Sequence, residues 1–134
     1  MMIRATAIPY NDRDPRCVLW ESYSDDGGVT WVAPFPTPLW GFPPHLLVLG
    51  DGRVLCSYGY RRPPYGERAC LSTDGITWNA ADEIILRDDA PNGDLGYPAS
   101  VELGGGKILT VYYQPDVPRG TTQEMRPPDP ARTK

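Results

Sequence analysis

The sequence has 134 residues, which is enough for one ordinary domain with a modest core. Its sixteen prolines and fourteen glycines leave few windows for a helix, whereas four tryptophans and eight tyrosines suit strands. The formal net charge is −4 and no basic stripe is interleaved with aromatics, so nucleic acid is excluded as an expected partner; no stretch is apolar enough to predict a membrane span.

Short apolar runs bounded by turn residues predict strands in three successive units. In the partial unit of residues 1–36, the strands are 3–8, 17–24 and one that begins at 31–33. A complete four-stranded unit follows in residues 37–88, with strands at 45–49, 54–60, 69–72 and 78–86. Residues 89–126 open a third unit with strands 99–103 and 108–113 and a further segment at 121–125. Residues 127–134 are a polar, proline-rich tail that we expect to be flexible.

Two motifs recur along the chain at an interval of about 50 residues. The first is a hairpin motif, Ser-Asp-Asp-Gly-Gly-Val-Thr-Trp at 24–31 and Ser-Thr-Asp-Gly-Ile-Thr-Trp at 72–78. The second joins a Gly-aromatic-Pro triplet, at 41–43 and 96–98, to a glycine-rich turn at 49–55 and 103–109. A repeat of this length corresponds to one four-stranded sheet, which predicts an all-β fold of the partial β-propeller type.

The hairpin motif has a physical basis. An aspartate beside glycine can accept hydrogen bonds from the backbone of its own turn, and a serine before it can do the same. The tryptophan that follows supplies a large apolar body to pack between sheets. The shared residues are Ser24, Asp26, Gly28, Thr30 and Trp31 in the first copy, and Ser72, Asp74, Gly75, Thr77 and Trp78 in the second.

This motif resembles the Asp box of sialidases and related repeat proteins; residues 24–31 match it in full, and 72–78 are one residue shorter. The resemblance covers residues 17–113. It implies about two to two and a half four-stranded antiparallel blades of a six-bladed sialidase-like propeller. In the family's enzymes it implies hydrolysis of a terminal sialic acid or related sugar. The Asp boxes themselves are implied to be structural and to lie on the face away from the active site.

The resemblance also points to the start of each innermost strand as the place for catalysis. Tyr97 lies where a sialidase places its nucleophilic tyrosine, although Pro98 follows it where serine is usual. A phenol needs a neighbouring glutamate to take its proton, and Glu67 is the candidate. Asp94 could serve as an acid, with loop capping as the alternative. For Tyr97 the alternative is an aromatic side chain that packs at the channel rim.

The family binds the substrate carboxylate with three arginines, because guanidinium groups form paired charge-assisted hydrogen bonds. The candidate substrate-binding residues are Arg61, Arg62, Arg68, His45 and Phe42. A solvated loop with a Glu67–Arg68 pair is the alternative for the arginine-rich segment, which is expected on the same face as Tyr97. A hydrogen-bonded inner-face histidine is the alternative for His45.

The leading interpretation is a fragment of a sialidase-like glycoside hydrolase that acts on a glycan or sialoside, with no metal or cofactor. Its activity would depend on missing blades or on oligomerisation, since about two blades leave strand edges unpaired. Three copies in a homotrimer could complete the ring. The alternatives are a non-catalytic carbohydrate-binding or protein-interaction propeller, or an inactive remnant, so enzymatic activity is left open.

Cys17, Cys56 and Cys70 are odd in number and match no metal-binding spacing, which predicts free, buried thiols. Residues 1–10 have no sustained apolar stretch and predict no secretory signal. Together these features favour a cytoplasmic location, which a missing segment could change.

Overall fold

The computed structural model describes residues 1–4 and 17–115, and this part of the chain forms three antiparallel sheets. The first sheet contains β1 (Met2–Arg4), β2 (Leu19–Glu21) and β3 (Phe35–Pro36). The second contains β4 (Pro44–Val48), β5 (Val54–Tyr60), β6 (Gly66–Ser72) and β7 (Ile84–Arg87). The third contains β8 (Gly96–Leu103) and β9 (Lys107–Tyr113). The prediction of an all-β fold is confirmed, and none of these sheets is closed on itself.

Several predicted strand limits are wrong, whereas 54–60 coincides with β5. No strand forms at 31–33, and 17–24 is reduced to Leu19–Glu21. The segment 78–86 includes a short 3-10 helix, Ala80–Asp82, because the side chain of Asn79 accepts a hydrogen bond from Ala81 N at 3.1 Å and caps it. The predicted segments at 5–8 and 121–125 and the tail at 127–134 lie outside the described residues.

The second sheet lies between the other two. The first sheet packs on one of its faces, where the core consists of Leu19, Leu39, Cys56, Tyr58, Cys70 and Trp78. The third sheet covers the opposite face, where the hydroxyl of Ser57 is 3.1 Å from that of Ser100. Side chains alternate between the faces of a strand, so Ser57 and its neighbour Tyr58 contact different sheets.

Polar contacts link the sheets as well. Trp78 Nε1 donates to Glu21 Oε2 of the first sheet at 2.8 Å. Between the second and third sheets, Gly50 N donates to Glu102 Oε2 at 2.6 Å. The three cysteines are free and buried, as the sequence predicts. Among the described residues, no helix has the length and apolar character needed to cross a membrane.

The two Asp-box hairpins have the same hydrogen-bond pattern. In the first, Asp26 Oδ1 accepts from the Ser24 hydroxyl at 2.7 Å and from Thr30 N at 2.8 Å, and Asp26 Oδ2 accepts from the Thr30 hydroxyl at 2.6 Å. Asp74 makes the corresponding bonds to Ser72 and Thr77. These carboxylates therefore hold their own turns closed, as the residue pattern predicts.

These hydrogen bonds lower the pKa of both aspartates. Hydrogen bonds from the Thr30 side chain and backbone, and from Ser24, lower the pKa of Asp26 to about 2. Backbone bonds from Thr77 and Ile76 are the main cause of the lowered pKa of Asp74. A carboxylate whose pKa is lowered by folding stabilises the fold above its ordinary pKa of 3.8 and loses that effect as the pH falls toward the folded value.

We therefore expect Asp26→Asn to lower the melting temperature at pH 6 and to weaken its dependence on pH between about 4 and about 2. The amide cannot replace the charge that accepts several donors at once. Circular dichroism melts across this pH range measure both effects. Asp25→Asn is the matched control, because Asp25 is an exposed neighbour in the same turn. Equal curves for the two variants would contradict a stabilising role for Asp26.

Candidate functional site

Two loops meet at one end of the second sheet. The arginine loop, residues 61–65, joins β5 to β6, and the aspartate loop, residues 88–95, joins β7 to β8. Ala90 N donates to Tyr65 O at 3.1 Å, and Arg61 Nε donates to Leu95 O at 3.0 Å. The two loops are thus fixed to each other, and the arginine-rich segment lies beside the start of β8, where Tyr97 is found.

Both Gly-aromatic-Pro triplets lie at this end of the second sheet, where their backbones come close to that of Gly59. A Cβ atom on Gly59 would be 2.7 Å from Gly96 Cα and 2.9 Å from Phe42 O. Gly96 itself has a φ of +120°, which a side chain would disfavour. The glycine of the second triplet is therefore needed for the close contact that brings Phe42 and Tyr97 to one place.

Arg61 lies between the two aromatic rings. Its guanidinium carbon is 5.5 Å from the centre of the Phe42 ring and 5.9 Å from that of the Tyr97 ring. These distances are within the range of cation–π attraction. Three of the predicted site residues, Phe42, Arg61 and Tyr97, are therefore brought together.

Tyr97 itself is exposed and strained. Its φ is +56°, in the left-handed region, and 66% of the residue is accessible to solvent. A bulky residue in this conformation is an outlier that costs about 1–3 kcal/mol. Such strain is concentrated at functional sites, and the exposed ring does not offset it by packing.

Glu67 is buried on the face of the second sheet that the third sheet covers. Its register partner in β5 is Gly59, and both carboxylate oxygens are without a hydrogen-bond partner in the part of the chain that the structure describes. Burial raises the pKa of Glu67 to about 7, while the charge of Arg61 acts in the opposite direction. A carboxyl group of this kind can change its protonation state near neutral pH.

The predicted pairing of Glu67 with Tyr97 is not formed as a direct hydrogen bond between these described side chains. Arg61 interacts with both, through its charge on Glu67 and its guanidinium on the Tyr97 ring. Arg61 is therefore the residue through which the two members of the predicted catalytic pair are connected.

Arg62 is the second arginine at this end. Its guanidinium carbon lies 3.6 Å from the centre of the Trp40 ring. Trp40 in turn contacts the rings of Phe42 and Tyr60, with centres 5.5 and 5.4 Å away. Two arginines of this loop therefore contact one aromatic group, since Arg61 lies over Phe42 and Arg62 over Trp40.

Arg68 is not in the loop, contrary to the sequence-based prediction. Glu67 and Arg68 both belong to β6, and as neighbours on a strand they face opposite sides of the sheet. The alternative interpretation, a solvated loop with a Glu67–Arg68 pair, is therefore wrong. Arg68 is buried over the Tyr60 ring at 4.6 Å, and its Nε is 3.5 Å from Glu83 Oε2. Its Nη1 also donates to Arg87 O at 3.2 Å. Arg68 therefore braces the second sheet rather than joining Arg61.

Asp94 and His45 have partners in the third sheet. Asp94 is exposed, and its Oδ2 accepts a hydrogen bond from the Tyr113 hydroxyl at 3.0 Å. His45 Nδ1 accepts from Ser100 N at 3.4 Å, as expected for the inner-face alternative. Their predicted roles as acid and substrate ligand stay predictions.

Sequence reasoning did not identify Tyr113, Glu83 or Leu95 as partners of site residues. The Tyr113 contact follows from the hairpin, since Tyr113 is opposite Gly96 in the register of β8 and β9. Nothing in the residue pattern indicates the Leu95 carbonyl. Within residues 1–4 and 17–115, no group of three or more histidine, cysteine, aspartate or glutamate side chains could hold a metal ion.

Comparison with known proteins gives one informative similarity. No protein-family model and no curated protein matches this chain. A crystal structure of a protein of unknown function from Dyadobacter fermentans DSM 18053 is similar, with 41% sequence identity and a TM-score of 0.65. The match covers 73% of this chain and 27% of that chain, so this chain corresponds to only about a quarter of the solved structure.

Proposed function

We propose that this chain forms one wall of the sugar site of a sialidase-like glycoside hydrolase built on a β-propeller. The observation that carries this proposal is the position of Arg61 between Phe42 and the strained, exposed Tyr97, beside the buried carboxyl group of Glu67. The guanidinium of Arg61 can bind the carboxylate of an acidic sugar, and an aromatic ring can pack on the sugar face. The carboxyl group of Glu67 can transfer a proton.

The propeller part of the proposal rests on the repeats. Both Asp boxes have equivalent bond patterns, and a four-stranded antiparallel sheet follows the first of them. In a propeller, one sheet is repeated around a central axis, so neighbouring sheets pack face to face in the order in which they occur in the chain. The similar crystal structure is much longer than this chain, which leaves room for further units there.

Within this proposal, Arg61 binds the substrate carboxylate, and Tyr97 supplies the nucleophilic hydroxyl. Glu67 accepts the phenolic proton, with Arg61 positioned to balance the charge of the resulting phenolate. Proton transfer requires a rearrangement that brings the two side chains together, since Glu67 has no hydrogen bond to Tyr97 among the described contacts. Catalytic contacts often tighten only when substrate is bound.

A non-catalytic carbohydrate-binding site is the second candidate. It is favoured by one observation: the predicted catalytic groups are not joined by hydrogen bonds. Both carboxylate oxygens of Glu67 have no partner among the described residues, and Asp94 accepts a hydrogen bond from Tyr113. Arg61 and Tyr97 could then hold an acidic sugar without cleaving it.

Titration of the 134-residue chain with N-acetylneuraminic acid tests both candidates. We expect Arg61→Ala to weaken binding about 10- to 100-fold, because hydrogen bonds to charged groups contribute about 1.5–3 kcal/mol. Calorimetry measures the affinity. Arg53→Ala is the matched control, because Arg53 lies in the turn between β4 and β5 and pairs with Asp51 at 2.7 Å. An uncharged sugar should bind more weakly than the acid.

A fluorogenic sialoside separates the two candidates. Hydrolysis by a completed ring, abolished by Tyr97→Phe with binding retained, would support the enzyme. Binding without hydrolysis by the same completed ring would support the carbohydrate-binding alternative. Absence of binding by the acidic sugar, or equal loss in the Arg61 and Arg53 variants, would contradict both.

A further inference from the structure

The outer face of the third sheet is apolar and open to solvent. The side chains of β8 and β9 that face away from the second sheet include Ala99, Val101, Leu109 and Val111, with Lys107 at the turn end of the same face. Leu109 is 50% exposed and Val111 58% exposed. A contiguous apolar patch of this kind indicates an interaction surface.

The repeat shows what covers the equivalent surface one unit earlier. Alignment of the glycine-rich turns pairs Leu55 with Leu109 and Ser57 with Val111. In the second sheet these positions are covered, since Leu55 is 4% exposed and Ser57 is fully buried under Ser100 of the third sheet. Among the described residues, the outer face of the third sheet is therefore the equivalent surface with no sheet over it.

The first sheet has an open surface on the side away from the second sheet. We name this surface the rear face, and it consists of Trp20 and Trp31. In β2, Leu19 is in the core and Glu21 binds Trp78, so Trp20 between them faces away from the second sheet. The Asp-box alignment pairs Trp31 with Trp78. Trp78 is 6% exposed because it is inserted against the preceding sheet, whereas Trp31 is 50% exposed among the described residues.

We propose that the outer face of the third sheet binds the rear face of the first sheet of a second copy of this chain. A second copy carries both halves of the contact, and each half has a covered equivalent inside the chain. Such a head-to-tail contact uses a different surface on each partner, so it either closes a ring or continues as a filament. Each chain supplies three stacked sheets, so two copies joined in this way at both ends would supply the six sheets of a closed ring.

Solution mass, measured by light scattering after size-exclusion chromatography, tests the contact. We expect a mass above that of one chain for the wild type, and the mass of one chain for Val111→Lys and for Trp31→Ala. Val101→Lys is an independent substitution in the same outer face. Val48→Lys is the control, because Val48 is exposed in β4 and belongs to neither surface. Melting curves verify that each variant is folded.

Mixing the variants distinguishes a head-to-tail contact from a symmetric one. The Val111→Lys chain keeps an intact rear face, and the Trp31→Ala chain keeps an intact outer face. An equal mixture should therefore form a complex of two chains, although each variant alone stays single. A single-chain mass for the wild type at all concentrations would overturn the proposal. So would an oligomer that Trp31→Ala leaves intact, or a mixture that forms no complex.

Discussion

Replacement of Gly66 by alanine is expected to destabilise the protein by about 2–4 kcal/mol, a large part of the stability of a small domain. Gly66 is the first residue of β6 and pairs with Tyr60. A Cβ atom there would overlap the backbone carbonyl of Arg87 at the end of β7. That carbonyl cannot easily retreat, because Arg68 Nη1 donates to it at 3.2 Å.

The same substitution should also displace the arginine loop, which ends next to Gly66, and so weaken sugar binding through Arg61. Urea unfolding measures the stability change. Gly104→Ala is the control: its Cβ would have no atom within 4 Å, and its backbone angle is not in the left-handed region. We expect a change within about 0.5 kcal/mol for that variant. Similar stabilities for the two variants would contradict the packing argument.

Gly66 also illustrates which parts of the fold the sequence can predict. Turn residues and the alternation of apolar side chains locate β5 and the hairpin between β8 and β9, because both signals are local. The start of β6 could not be predicted, since Gly66 reads as a loop residue until the proximity of β7 is known. The same holds for residues 78–83, where Asn79 caps a helical turn between Trp78 and the isoleucines at 84 and 85, residue types that favour a strand.

The proximity of Phe42, Arg61 and Tyr97 could be predicted from the sequence, but the contacts of these residues could not. The Gly-aromatic-Pro repeat identifies Phe42 and Tyr97 as equivalent, and the arginine-rich segment lies between them in the chain. Strand parity, however, decides which of two adjacent charged residues enters the site. It places Glu67 beneath the third sheet and Arg68 on the opposite face, and a shift of one residue in β6 would exchange them.

The position of Glu67 leads to the second large expected effect, a loss of stability as the pH rises. Burial raises the pKa of Glu67 from 4.5 to about 7 in the folded protein. For an acid whose pKa is raised by folding, the fold is most stable below the ordinary pKa and loses stability as the pH increases toward the folded value. A difference of this size corresponds to a loss of about 3 kcal/mol between about pH 4.5 and about pH 7.

Glu67→Gln should remove this dependence, because the amide stays neutral at every pH in the range. We expect the variant and the wild type to have similar stability at pH 4.5, and the variant to be more stable by about 2–3 kcal/mol at pH 8. Urea unfolding at several pH values measures the difference. A difference in unfolding free energy between the wild type and the variant that stays the same at every pH would contradict the raised pKa of Glu67.

Arg61→Ala should have the opposite effect to Glu67→Gln, because it should strengthen the dependence of stability on pH. The positive charge of Arg61 is the influence that lowers the pKa of Glu67 against the effect of burial. Without it, the ionised carboxylate is stabilised less, so the loss of stability with rising pH should become larger than in the wild type. In a double variant with Glu67→Gln, the effect of Arg61→Ala should no longer depend on pH, because the group that responds to the charge is absent. A pH-dependent effect that persists in the double variant would mean that Arg61 acts on another titrating group, and its place between Tyr97 and Glu67 would then serve binding alone.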